Sequence, residues 1–338
     1  MADRDGDSIE RLARSAPDSR TLRARVVDAL RRRVDFEWYV CVLTDPRTCV
    51  GVDPLAEVPD GLDLPALVRA KYQTRTHRWT SLGRAAALGA DASRSRVWRE
   101  VQSHWGVRDV LSVVLRDPHG CWGFLDLWSS RPFGREDLRY LDAVSVPLTA
   151  GLRRAQARTL RPRPSGEATG PVVLVLDEDL RVRSRTAPVD DWLARLLPPA
   201  EGRMPVPAVA FNVAAQLLAV EEGVDDHEPA GRVHLGAGEW VTVRAARLGS
   251  AGEIVVTMER MVAAERIDLV SRAFVLTPRE RGVLAEVCAG RTTAATAAAL
   301  HLSPLTVQDH LKSAFERTGV QGRRELAALA LGAAPPER

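Results

Sequence analysis

Near the C-terminal end of the chain, Leu276-Thr-Pro-Arg-Glu280 is followed by Ala289-Gly-Arg291, by Leu302-Ser-Pro-Leu-Thr-Val-Gln-Asp-His-Leu-Lys312 and by Thr318-Gly-Val320. That order and spacing specify four short helices and three turns. Thr277 suits an N-cap, Pro278 the first helical position, and Glu280 completes a capping box. Val283, Leu284 and Val287 continue at helical spacing until Gly290 stops the helix. Thr292 or Thr293 caps a second, alanine-rich helix that ends near Leu300, and Ser303 with Pro304 opens a third. A break of about three residues between the second and third helices is what a helix-turn-helix requires.

The third helix has two faces. Val307, Leu311, Ala314 and Phe315 recur at i, i+4, i+7 and i+8, forming the stripe that packs on the first two helices. Gln308, Asp309, Lys312 and Glu316 then point outward. A helix anchored on one side and polar on the other fits a major groove. Gln308 suits adenine, Lys312 suits guanine or a phosphate, and Asp309 accepts from cytosine, so these three are the expected base readers. A lone polar helix face is usually only solvated; three capped partner helices at this spacing favour the groove. Thr292, Thr293, Ser303, Thr306 and Arg317 are the expected phosphate contacts, through hydroxyls, a guanidinium and helix N-termini.

These elements resemble the LuxR-type (GerE-like) helix-turn-helix family. The resemblance is carried by Leu276 to Glu280, Gly290 to Thr293, Thr296-Ala297 with Leu300, and Ser303 with Thr306, Val307 and His310. Gly319-Val320 and Arg323 or Arg324 with Glu325-Leu326 complete it. It implies that the helix from Ser303 to Arg317 is the recognition helix and that the helix from Gly322 to Leu331 is a dimer contact. The chain departs from the family pattern at Gln308, where lysine is common, at Thr293, where asparagine is common, and at Ala295-Thr296, where Glu-Ile stands. Loss of a cation lowers affinity and flattens its salt dependence. The alanine-rich run also buries less apolar area than isoleucine would.

A chain of 338 residues exceeds one ordinary domain. The net charge of +3 is modest, but its distribution is informative. Residues 272–338 carry 9 Lys+Arg against 6 Asp+Glu, whereas residues 161–271 carry 12 against 17. The basic C-terminal segment therefore remains a nucleic-acid candidate and the acidic middle does not. The four cysteines, Cys41, Cys49, Cys121 and Cys288, show neither paired metal-ligand spacing nor a dense disulfide framework. Cys41, Cys121 and Cys288 lie in apolar runs and read as core. No apolar run approaches the length of a membrane span, and the acidic start Met1 to Asp7 is unlike a signal peptide, so a cytoplasmic protein without membrane association is expected.

The expected fold class is multidomain α+β, ending in an all-α, four-helix DNA-binding domain. Residues 1–18 read as a disordered tail. Residues 19–158 follow a helix-strand-strand-helix-strand-strand-helix order, with strands at Phe36 to Leu43, Val110 to Leu115 and Trp122 to Trp128. With Gly120-Cys-Trp-Gly-Phe-Leu-Asp-Leu127, Phe133 and Asp137, this segment resembles a GAF domain, which implies a sensory or dimerisation role. Residues 159–170 read as a linker. Residues 171–261 resemble a PAS domain, with strands at Pro171 to Asp177, Leu180 to Ser184, Arg232 to Leu235, Glu239 to Arg247 and Glu253 to Glu259; Pro198 to Asp226 is irregular. Residues 262–273 connect to the helix-turn-helix domain at 274–333, and 334–338 form a tail.

Trp79, Trp98 and Trp105 lie where they would cover the first sheet. They either stack on a small-molecule effector or, as aromatics more often do, fill the core. His77 and His104 lack partners at metal-ligand spacing. Asp177 follows an apolar strand as a phosphoacceptor would, but the alternating strand-helix units of a receiver are missing, so it reads as a turn residue. No phosphate-binding loop, nucleophile elbow or zinc-protease motif occurs, and neither an enzyme nor a cofactor is expected. The expected function is sequence-specific regulation of transcription by a homodimer on double-stranded DNA, with half-sites roughly 34 Å apart. The competing reading is a small-molecule-sensing or scaffold protein that signals through protein contacts and has weakened DNA binding.

Overall fold

The structure, a computed structural model, describes residues 2–161, 172–196, 207–236, 238–249 and 252–333. The described residues fall into two compact units. One comprises residues up to 152, those described between 169 and 233, and 242–259; the other holds 153–161, 234–241 and 260–333.

The first unit opens with α1 (Ala2–Ser15) and α2 (Ser19–Leu30). The expected disordered tail is thus a helix, because Ile9, Ala13 and Ala16 give it a buried stripe. Asp18 caps α2 by accepting from the Thr21 amide (2.7 Å) and hydroxyl (2.9 Å). There follow β1 (Trp38–Thr44), β2 (Gly51–Glu57), α3 (Leu64–Tyr72), the short β3 (Ala86–Ala87), α4 (Arg96–Glu100) between two 3-10 turns, β4 (Asp109–Asp117), β5 (Gly120–Ser129) and the long α5 (Arg135–Thr159). The strands form one antiparallel sheet in the order β2-β1-β5-β4-β3, with Trp38 opposite Trp128 and Leu43 opposite Gly123.

The central strand β5 is buried along almost its whole length, so both faces of the sheet are covered. Gly151 of α5 makes the close approach of helices possible: a methyl group there would lie 2.8 Å from Ala13 Cβ and from Leu22 Cδ2. Arg23, fully buried, ties α2 to the sheet by donating to the Cys41 (3.0 Å) and Asp53 (2.6 Å) carbonyls.

The three tryptophans proposed to contact a ligand are not brought together. Trp79 is 2% exposed, stacks on Phe124 at 4.9 Å and meets Tyr72 edge-on at 4.8 Å, and its indole donates to the Cys49 carbonyl. Trp98 packs on a separate cluster around Val97 and Val101 and donates to the Val107 carbonyl, while Trp105 is exposed. Beside Trp79, Lys71 pairs with buried Asp126 (2.6 Å), which also accepts from the Ser112 hydroxyl (2.7 Å). A cavity lined by Lys71, His77, Gln102 and Ser112 has a volume of about 10 Å³, room for a single water.

The second sheet has the order β7-β6-β10-β9-β8, built from β6 (Val172–Leu176), β7 (Val182–Arg185), β8 (Ala230–Gly236), β9 (Glu239–Leu248) and β10 (Glu253–Arg260). Asp177 accepts from the Asp179 and Arg181 amides at 3.0 and 2.9 Å, so it shapes the β6–β7 turn. α6 (Val189–Leu196) lies near the expected helix. The stretch expected to be irregular instead contains α7 (Ala208–Glu221), nearly all of it buried, which packs on α3 and β2. Uniform burial removes the polar stripe by which a helix is read from sequence. The expected linker beyond residue 161, the region 197–206 and the tail 334–338 lie outside the described residues.

Asp45, in the β1–β2 turn, and Arg232, on β8, are both buried, and Asp45 Oδ2 accepts from Arg232 Nε (2.6 Å) and from the Arg232 amide (2.9 Å). Burial alone would raise the Asp45 carboxyl, but the Arg232 guanidinium holds it below its ordinary value. Asp45→Ala takes the carboxylate away from that buried guanidinium, and should lower unfolding stability by about 3 kcal/mol in a denaturant titration.

Candidate nucleic-acid interface

The second unit contains five consecutive helices: α8 (Ala263–Ala273), α9 (Pro278–Cys288), α10 (Thr293–Leu300), α11 (Pro304–Thr318) and α12 (Arg323–Leu331). The expected connector at 262–273 is therefore mostly helical. α8 packs on α9 and α12, where Asp268 binds Arg272 (2.9 Å) and Arg281 (3.0 Å). Arg266, also buried, donates to the Leu329 carbonyl at the end of α12 (3.1 Å) and to the Leu160 carbonyl (2.7 Å); burial draws its pKa down to about 10.

The capping residues sit where the sequence puts them. Thr277 accepts from the Glu280 amide while Glu280 accepts from the Thr277 amide. Thr292 caps α10, and Ser303 caps α11 by accepting from the Thr306 amide at 3.0 Å. His301, in the left-handed region (φ 53°), and Leu302, whose amide donates to the Ala297 carbonyl (2.9 Å), turn the chain from α10 into α11.

Glu280 also reaches across to α11. Its carboxylate accepts from the Ser313 hydroxyl (2.6 Å) and lies 3.4 Å from Arg317 Nε. Burial would raise its pKa, but the bonds from Ser313 and Thr277 hold it below the usual value of 4.5. Arg317, expected at a phosphate, is occupied within the domain by Glu280 and by the Val275 carbonyl (2.9 Å). It acts as a strut.

Val307, Leu311 and Ala314 are buried and Phe315 is half-buried, as a helix anchored on one face requires. Gln308, Asp309 and Lys312 are exposed and make no hydrogen bond or ion pair with any described residue. Leu305, 68% exposed, lies on the same stripe, at i relative to 308, 309 and 312 at i+3, i+4 and i+7. Its spacing from Gln308 and Lys312 is legible in the sequence; its exposure is not. An exposed leucine beside three free polar groups adds an apolar contact for a thymine methyl. Thr292 and Ser303 are exposed, and Thr293 and Thr306 are half-buried. The Oγ atoms of Thr292 and Ser303 accept backbone amides and the Ser303 and Thr306 hydroxyls bond each other at 2.8 Å, so the Thr292 hydroxyl hydrogen and one of the Ser303–Thr306 pair can be offered to a phosphate.

α12 buries Leu326, Ala328, Leu329 and Ala330 and leaves Leu331 exposed. Because α8 and α9 pack on it, much of the helix expected at a dimer contact is already covered.

Residues 274–330 match the family described as bacterial regulatory proteins, luxR family. This stretch is a LuxR-type helix-turn-helix domain, a class that implies DNA binding and transcription regulation. No curated protein matches the chain. Among solved structures, the chain is similar to a phage VqmA–DPO complex, at 20% identity and a TM-score of 0.17, over 47% of this chain and 82% of that one. It is also similar to the Escherichia coli DhaR(N)–DhaL complex, at 12% identity and a TM-score of 0.25, over 76% and 90%. Superpositions this poor do not bear on the upstream fold. Among the described residues no helix is long and apolar enough to cross a membrane.

Thr296, fully buried in α10, has an Oγ1 with no hydrogen-bond partner among the described residues. Thr296→Val keeps the branched shape and removes the stranded hydroxyl. It should raise stability by about 1 kcal/mol, seen as a higher denaturant midpoint at unchanged slope. Glu280→Ala removes the capping-box bond and the acceptor for Ser313, and should cost about 1–3 kcal/mol. A lowered carboxylate pKa stabilises the fold above its unfolded value, so Glu280's contribution should be present above about pH 4.5 and vanish as pH falls further, measured as the difference between wild type and variant.

Proposed function

We propose that this protein is a sequence-specific DNA-binding regulator of transcription whose α11 enters the major groove. The observation that carries the reading is the free stripe of Leu305, Gln308, Asp309 and Lys312 on a helix whose opposite face is anchored. In this reading Gln308, Asp309 and Lys312 contact bases, while Thr292, Thr293, Ser303 and Thr306 contact phosphates. The basic balance of the C-terminal segment supports association with a polyanion.

The active species is a homodimer that reads two half-sites roughly 34 Å apart, and the GAF-like and PAS-like segments act as sensory or dimerisation modules. The covered state of α12 favours dimer contacts that involve the upstream domains or a shift of α8. The filled core beside Trp79 speaks against a small molecule lodged between the first sheet and its cover. The freedom of the α11 stripe favours this reading over a scaffold with decayed DNA binding.

Selection of bound fragments from a genomic library, followed by gel shift, tests the proposal; no fragment preferred over bulk DNA defeats it. On a selected site, Lys312→Ala should weaken binding and reduce the slope of log affinity against log salt by about 1. Gln308→Ala should cost about 1–3 kcal/mol at one base position and leave non-specific binding unchanged.

A further inference from the structure

The second unit contains an arginine-lined cleft to which base reading gives no role. Arg153, Arg154 and Arg158 reach it from the last turns of α5, Arg161 from the turn just after that helix, and Arg317 from the end of α11. Between them the floor is apolar and carries Phe274 and Val275, which follow α8. The cleft holds about 380 Å³, and none of the described residues lining it is acidic. Arg154 and Arg158, one helical turn apart, are exposed, as are Arg161 and Arg317.

Arginine near a helix C-terminus often serves only the helix, and part of this cluster does so. Arg161 Nη2 donates to the carbonyl of Thr318, the last residue of α11 (3.3 Å), and Arg317 Nη1 donates to the Val275 carbonyl (2.9 Å). α5, α8 and α11 all end at the cleft, and three such ends carry together about −1.5 elementary charges. Glu280, facing Arg317, adds one more negative charge. Five guanidiniums exceed that sum, so helix capping accounts for only part of the cluster.

The floor of the cleft is also strained. After α8 the Leu276 amide donates to the Ser271 carbonyl (2.8 Å) and the Val275 amide to the Arg272 carbonyl (3.3 Å), a closing pattern in which glycine usually takes the left-handed position. Val275 occupies that position at φ 59°, where a β-branched residue is an outlier. A glycine would relieve the backbone but would remove the isopropyl group from the cleft floor. Strain of this kind gathers at ligand clamps.

We propose that this cleft binds an oligophosphate, a run of linked phosphates carried by a nucleotide or free. Arg154, Arg158 and Arg161 hold the phosphates, and Phe274 and Val275 meet the apolar part of a nucleotide. Each guanidinium presents a planar fork of donors that matches two phosphate oxygens. A concave surface lined by one sign of charge also concentrates such an anion from solution. The volume suits a small ligand. A DNA backbone fits less well. Arg317 follows Lys312 by five residues, which turns it roughly 140° about the α11 axis, so a duplex read by Gln308, Asp309 and Lys312 lies on another side of that helix. That last step rests on the proposed function, whereas the site itself does not.

Titration calorimetry on the full-length protein, without DNA and in EDTA, tests the proposal with orthophosphate, tripolyphosphate and ATP. Tripolyphosphate should bind at one site per chain and about tenfold more tightly than orthophosphate, because each added charged hydrogen bond is worth roughly a factor of ten. Arg154→Gln/Arg158→Gln should weaken tripolyphosphate binding by about tenfold or more. Arg135→Gln/Arg139→Gln, which takes the same charge from the start of α5, should leave it unchanged. ATP that binds more tightly than tripolyphosphate, with the gain lost in Phe274→Leu, assigns the site to a nucleotide; ATP that binds no more tightly assigns it to inorganic polyphosphate. Absence of tripolyphosphate binding, or equal losses in the two double variants, overturns the proposal. So does a loss of non-specific duplex affinity in Arg154→Gln/Arg158→Gln with tripolyphosphate binding kept, which assigns the arginines to a DNA backbone. The wild-type comparison of the two phosphates requires no variant to fold, and it stands whether or not α11 reads bases.

Discussion

The placement of α11 depends on one buried carboxylate. Glu280 belongs to the capping box that starts α9, yet the same two oxygens also receive the Ser313 hydroxyl and face Arg317, both on α11. A single acidic group thus satisfies a helix N-terminus and fixes the helix that presents the polar stripe. The apolar contacts of Val307, Leu311 and Ala314 hold α11 against its neighbours but are non-directional. The hydrogen bonds and charge at Glu280 supply direction, and so select which side of α11 faces outward. Arg317 therefore serves as a strut between α11 and the start of α9.

Much of this domain was legible because its punctuation is local. Thr277, Pro278, Ser303, Pro304, Gly290 and Gly319 each specify a cap or a turn through a hydrogen bond or a backbone angle within a few residues. The two β-hairpins of the upstream sheets were legible for the same reason, through apolar runs and turn residues. What escaped was set by partners distant in sequence. α7 shows no polar face because α3 and β2 cover it, so its periodicity is erased. α1 looks like a charged tail until Ala13 finds Gly151, far along the chain. The pairing of Arg317 with Glu280 also escaped, because the two lie on different helices.

The same distinction separates the tryptophans from the cysteines. Trp79, Trp98 and Trp105 drew attention as a set through their types and proximity in sequence, and the fold scatters them among unrelated environments. Cys49 drew none. Its partner His227 lies 178 positions away. Composition reads cysteines by their spacing along the chain, whereas their chemistry depends on spacing across a sheet and its covering segment.

The β1–β2 turn is where these long-range ties converge. Within a few residues it supplies Asp45 to Arg232, the Thr48 hydroxyl to the Ala230 carbonyl (2.6 Å), the Pro46 carbonyl to Cys121 and the Cys49 sulfur to His227. A turn pinned at four points transmits a change at any one of them to the others, because the charged pair at Asp45 tolerates little displacement before its desolvation cost goes uncompensated.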